Sequence, residues 1–142
     1  MDYPSVIEIK SEEETIELAE NFSLSLTDGD VVVLNGNLGS GKTFFIKHVL
    51  KNYNINNVNS PTFSIVNEYT GLKKIYHFDF YRLEKLNELL DIGFYDYIND
   101  SEAVTFIEWG NLFNDLLPQK RIEVLIDVKE NEMREFRFNK YE

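Results

Sequence analysis

Apolar and polar positions recur along this chain with two periods, and each period predicts a type of element. Ser5 to Lys10 alternates, which predicts a short strand. Ser11 followed by Glu14 is a capping box, so a helix opens there and runs to about Leu24, with Ile16, Leu18, Ala19, Phe22 and Leu26 on its buried side. Thr27-Asp28-Gly29-Asp30 then turns the chain into Val31 to Leu34, an unbroken apolar run that predicts a buried strand. A helical pattern follows from near Lys42, with Phe45, Ile46, Val49 and Leu50 toward a sheet and Lys47, His48 and Lys51 toward water.

Beyond the polar run from Asn52 to Asn57, Phe63 to Tyr69 and Lys74 to Asp79 predict two strands joined by the turn Thr70-Gly71-Leu72-Lys73. In the second, Ile75, His77 and Asp79 face one side, and Tyr76 and Phe78 the other. Leu83 to Asp91 reads as a helix with Leu83, Leu86, Leu89 and Leu90 inward. Ile92 to Asp100 adds Phe94, Tyr95, Tyr97 and Ile98, which belong either to the core or to a partner surface. Ala103 to Trp109 is an apolar strand closed by an acid, and Asn111 to Leu117 is a short helix stopped by Pro118. Arg121 to Lys129 alternates, with Ile122, Val124, Ile126 and Val128 on one face. It returns through Glu130-Asn131-Glu132 into Met133 to Asn139, a terminal hairpin whose charged outer faces suit sheet-edge strands.

The stretch between the buried strand and the second helix carries the chemistry. Gly36-Asn37-Leu38-Gly39-Ser40-Gly41-Lys42-Thr43 fits G-x-x-x-x-G-K-[ST]. In that pattern backbone N–H groups surround the phosphates, the lysine reaches the β- and γ-phosphates, and the hydroxyl ligates Mg²⁺. Phosphates placed there face the unpaired N–H groups and positive dipole end of the helix. The predicted nucleotide-binding residues are Asn37, Leu38, Gly39, Ser40, Gly41, Lys42, Thr43 and Phe44.

Two strand ends offer acids to the same metal. Glu108, after Ala103 to Ile107, has the form of a Walker B carboxylate; Asp79 either joins the metal shell and orients an attacking water or caps the helix that follows. Thr43, Glu108 and Asp79 are thus the predicted metal ligands, and Asp79, Glu108 and Lys42 the predicted catalytic residues. Ser60-Pro61-Thr62 places two hydroxyls on a stiffened segment, a switch-like loop or an ordinary loop-to-strand transition. His77 reads as a hydrogen-bonded strand residue rather than a proton shuttle, and Trp109 as core rather than a nucleotide stack.

Length and charge narrow the partners. With 142 residues, 43% of them hydrophobic, one domain with a single core is expected. There is no cysteine, and two isolated histidines cannot build a zinc site. No leader or membrane-length apolar run is evident, so a soluble cytoplasmic protein is expected, without membrane contact. A formal net charge of -11 suits a protein that does not grip nucleic acid unaided. The stretch from Leu83 to Ser101 lacks the arginines of a phosphotransferase lid, and the N-K-x-D guanine signature is missing.

The order GNLGSGKT, SPTF, HFDFYR and IEW, covering about Asp30 to Val128, resembles the bacterial TsaE family, small P-loop ATPases of tRNA threonylcarbamoyladenosine (t6A) synthesis. Asn37, Ser40 and Phe44 stand where family members commonly carry other residues. The resemblance implies an α/β fold: a single P-loop NTPase domain with a three-layer mixed sheet, helices on both faces and antiparallel edge hairpins. It also implies ATP as substrate, Mg²⁺ as cofactor, and action beside the TsaB and TsaD proteins, which would hold most of the tRNA. By the same resemblance Lys42 sits on phosphate, Thr43 and Glu108 on Mg²⁺, and Asp79 in catalysis or the metal shell, with Ser60 to Thr62 as a switch.

Overall fold

In the computed structural model, which describes residues 1–61 and 64–142, the elements follow the predicted order. They are β1 (Ser5–Ile9), α1 (Glu12–Ser25), β2 (Val31–Asn35), α2 (Lys42–Lys51), β3 (Val66–Thr70), β4 (Lys74–Asp79), α3 (Leu86–Asp91), α4 (Phe94–Ile98), β5 (Ala103–Glu108), β6 (Arg121–Val128) and β7 (Arg134–Tyr141). Tight 3₁₀ turns occupy Phe80–Arg82, Gly110–Leu116 and Glu130–Glu132. The strands form one mixed sheet in the order β1-β7-β6-β2-β5-β4-β3, in which β4, β5, β2 and β6 run parallel and β3 and β7 antiparallel to their neighbours.

Two helices close one face. Leu18, Ala19 and Phe22 of α1 and Phe45, Ile46, Val49 and Leu50 of α2 are buried against Val32, Leu34, Phe106, Val124, Phe136 and Phe138 of the sheet. The Ser11 hydroxyl accepts from Glu14 N (3.2 Å), as the capping box requires, while the Glu14 carboxylate bonds Lys10 N one residue earlier (2.8 Å). Ile16 does not join the buried side and is 39% exposed. Thr15 and Ser23 take that stripe instead, with the Ser23 carbonyl receiving the buried Tyr53 hydroxyl at 2.6 Å.

The opposite face is closed by shorter pieces. Phe78, Phe80 and Phe94 pack edge to face there (5.2 Å for Phe78–Phe94, 5.6 Å for Phe80–Phe94), under α3, α4 and the Gly110–Leu116 turn. The inward leucine pattern holds only in part. Helix α3 is six residues long, so it turns Leu89 fully inward and leaves Leu86 and Leu90 on the outside. Tyr95 is likewise exposed, whereas Phe94 is buried.

The β6–β7 hairpin is not at the sheet edge. Its strand β6 pairs β2 and its strand β7 is covered by β1, because the alternating Ser5–Ile9 segment supplies a further partner; the edges are β1 and β3. Val128, at the end of the otherwise buried alternation Ile122, Val124, Ile126, is exposed. Strand β3 begins at Val66, and the predicted start at Phe63 lies outside the described residues.

Candidate nucleotide site

Register places the chemistry. Parallel pairing sets Asp79 opposite Glu108 and His77 opposite Phe106, so His77, Asp79 and Glu108 share the sheet face that α2 covers. Between β2 and α2 the chain turns at Gly41, whose φ of +103° is a left-handed value that side chains resist. Gly36 is required by space: a Cβ there would lie 2.6 Å from the Ile126 carbonyl oxygen and from Ser40 Oγ. Arg134 Nε donates to the Ser40 carbonyl at 2.8 Å, tying the loop to β7.

Lys42 does not face solvent. It is 5% exposed, and its Nζ donates to the Gly36 carbonyl (2.7 Å), the Asn37 carbonyl (3.0 Å) and Ser40 Oγ (3.4 Å). The same ammonium lies 4.2 Å from the centre of the Trp109 ring. Trp109, at a left-handed φ of +62°, also packs against Tyr81 at 4.9 Å; it is partly buried against the core of the second face, as expected, and in addition forms a wall of the site. Burial pulls the Lys42 pKa below the usual lysine value, while Glu108 and Asp79 draw it back up.

At the start of α2 the Thr43 hydroxyl lies 2.9 Å from both carboxylate oxygens of Glu108 and 2.6 Å from Ser60 Oγ. His77 Nε2 meets Glu108 Oε2 at 2.6 Å. Asp79 accepts from Tyr81 N at 3.0 Å, so its capping role is real, yet it also lines the cleft. Burial holds the Asp79 carboxyl above the usual aspartate range; the Tyr81 N–H opposes this and the Glu108 charge adds to it.

These groups surround a cleft of about 410 Å³ lined by Leu38, Gly39, Gly41, Lys42, Thr43, Phe44, Ser60, Asp79, Tyr81, Arg82, Glu108 and Trp109. Of the predicted nucleotide-binding residues, Asn37 and Ser40 do not line it. Asn37 contributes its carbonyl to Lys42, and Ser40 is buried inside the loop. Thr43, Glu108 and Asp79, the predicted metal ligands, are brought together. Ser60 joins them, Pro61 is buried nearby in sequence, and Thr62 lies outside the described residues. Among the described residues no cluster of three His, Cys, Asp or Glu forms a complete cage. Thr43 and Glu108 instead offer the oxygen donors that suit Mg²⁺, which keeps waters and takes further ligands from phosphates.

Sequence reading missed the contacts of Trp109, Tyr81 and Arg134 with this region. Trp109 follows Glu108 directly, and Tyr81 follows Asp79 within three residues, so proximity to an acid was the signal at hand.

A strand, a glycine loop carrying Lys-Thr, a helix, and an acid from the neighbouring parallel strand define a P-loop fold. The whole chain superposes on the crystal structure of YdiB from Bacillus subtilis with a TM-score of 0.79 and 29% identity, covering 88% of that chain. A family model described as "Threonylcarbamoyl adenosine biosynthesis protein TsaE" matches residues 9–136. The tRNA threonylcarbamoyladenosine biosynthesis protein TsaE of Bacillus subtilis is 38% identical over 136 residues, spanning 92% of this chain and 84% of its own length. Its counterpart from Rickettsia felis is 39% identical over 129 residues, spanning 89% and 74%. The chain therefore belongs to the TsaE family, which serves the biosynthesis of threonylcarbamoyladenosine in tRNA. No helix among the described residues is long and apolar enough to cross a membrane.

Proposed function

We propose that this chain binds ATP with Mg²⁺ and hydrolyses it in the service of t6A modification. The observation that carries the proposal is the meeting of the Thr43 hydroxyl with both oxygens of Glu108 at 2.9 Å, in a cleft that Lys42 and Asp79 also line. Lys42 would exchange the Gly36 and Asn37 carbonyls for phosphate oxygens, and Thr43 and Glu108 would hold the metal. Magnesium would neutralise charge on the β- and γ-phosphates. Asp79, which lines the same cleft, would orient the attacking water. As that water's oxygen bonds to the γ-phosphorus, the bond to the β–γ bridging oxygen breaks and one water proton passes by way of the phosphate to solvent, giving ADP and inorganic phosphate.

A smaller cavity of about 130 Å³ shares Gly41 and Phe44 with the cleft and is further lined by Glu12, Thr15, Ser40, Arg134 and Phe136; the base end of the nucleotide would lie toward it. Arg82 is the arginine in the main cleft, so charge on the transferring phosphoryl group is met by Arg82 or completed by a partner. The partners proposed, on the family resemblance, are TsaB and TsaD acting in the cytoplasm, with the tRNA held mainly by them. The net charge of -11 supports that division.

A second reading, a binding module in which ATP occupancy rather than hydrolysis sets an interaction surface, draws on one observation. Lys42 and Thr43 are both satisfied within the protein, so occupancy must rearrange them. Hydrolysis measured with and without TsaB plus TsaD, alongside complementation by Asp79→Ala and Glu108→Ala variants that retain ATP binding, separates the two. Turnover that rises with the partners and variants that fail to complement support the ATPase. Full complementation without hydrolysis contradicts it.

A further inference from the structure

We propose that His77 is a positioning residue that fixes how the Glu108 carboxylate presents its oxygens to Thr43 and the cleft. The proposal rests on reading that cleft as a magnesium–nucleotide site. His77 is fully buried on β4, the strand next to the edge strand β3, and its Nε2 stands 2.6 Å from Glu108 Oε2. The contact follows from register, because His77 pairs with Phe106 and Glu108 is the next residue of β5 on that face. Glu108 is thereby anchored from two elements, by His77 of β4 and by the Thr43 hydroxyl of α2.

The other ring nitrogen, Nδ1, is buried with no hydrogen-bond partner among the described residues. A proton on Nδ1 would be a buried donor without an acceptor, so the ring proton belongs on Nε2 and is donated to Glu108. An apolar side chain of similar size would fill this position without leaving a polar atom unpaired. The imidazole is therefore accounted for by its bond to Glu108, as ligand carboxylates in metal sites are held by a surrounding shell of hydrogen bonds.

The test compares nucleotide affinity with Mg²⁺ to that in EDTA, using ATP itself, and reads their ratio. His77→Ala is expected to shrink that ratio by about tenfold or more, the usual cost of losing such a shell. His77→Gln, whose amide nitrogen can take the place of Nε2, is expected to restore most of it, whereas a space-filling role would be restored equally by His77→Leu. In the nucleotide-free wild type, ¹⁵N NMR is expected to find the ring proton on Nε2, with that signal moving in Glu108→Ala. A ratio unchanged in His77→Ala, equal behaviour of the Gln and Leu variants, or a proton on Nδ1 overturns the role of His77 and leaves the nucleotide site standing. A wild type whose ATP affinity is indifferent to Mg²⁺ overturns the parent reading, and this proposal with it.

Discussion

The two faces of the sheet are covered by different means, and the cleft lies where the difference matters. On one face the fourteen-residue α1 and ten-residue α2 bury whole side-chain stripes, and Phe22, Phe45, Phe136 and Phe138 form a contiguous aromatic layer. On the other, α3 and α4 are only six and five residues long, and Leu86, Leu90, Tyr95 and Leu112 stay exposed. The long-helix side supplies the glycine loop and Thr43. The wall that carries Tyr81, Arg82 and Trp109 follows directly on strand ends and leads into the short pieces, where fewer buried contacts oppose movement.

That contrast is broken or sharpened by substitutions on each side. The largest effect is expected from Phe45→Ala, which empties a fully buried position beneath the loop and should cost about 3–5 kcal/mol in urea unfolding. A loss below about 1 kcal/mol would mean that the long-helix face is no better packed than its opposite. Next is Lys42→Ala, expected to weaken ATP binding by about 1.5–3 kcal/mol, or roughly ten- to a hundredfold, by calorimetric titration. Because Lys42 is buried on loop carbonyls, a smaller loss of stability accompanies it.

Asp79→Asn should do the opposite to the free protein. Burial raises the Asp79 pKa, so the folded state prefers the protonated form. Its contribution favours folding below the ordinary aspartate value of 3.8 and is lost as pH rises through the raised one. Asparagine keeps the cap on Tyr81 N without the charge, so a rise in Tm of about 1–3 °C near neutral pH is expected, together with lost hydrolysis. A Tm that falls at neutral pH would show the carboxylate to be stabilising in place. Smallest of all is Leu90→Ser, expected to change stability by less than about 0.5 kcal/mol because the side chain already faces water.

The same two faces explain what was legible in the sequence. The apolar run Val31 to Leu34, the spacing of Phe45, Ile46, Val49 and Leu50, and the Ser11–Glu14 cap are local signals, and local signals settle long elements. Alternation also placed Ile75, His77 and Asp79 together, and the cores on the two faces divide there as expected, with Ile75 in one and Tyr76 and Phe78 in the other. Leucines at 86 and 90 misled, while Leu89 turned inward as expected, because a periodic pattern does not report that its helix is only six residues long. The terminal hairpin reads as an edge because nothing within it announces that β1, over a hundred residues earlier, pairs with β7. In the site, Lys42, Thr43, Asp79 and Glu108 were readable from motif chemistry. The Trp109 ring under Lys42 and the bond from His77 to Glu108 were not, since the first depends on a left-handed backbone and the second on strand register.

The central claim is that the glycine loop and the two strand ends grip one magnesium nucleotide together, and a crystal structure with a non-hydrolysable ATP analogue and Mg²⁺ tests it most directly. The account predicts Lys42 Nζ withdrawn from the Gly36 and Asn37 carbonyls onto phosphate oxygens, with the metal bound to Thr43 Oγ1 and linked to Glu108 directly or through one water. Lys42 still seated on those carbonyls, with the metal remote from Thr43, Glu108 and Asp79 alike, would contradict it.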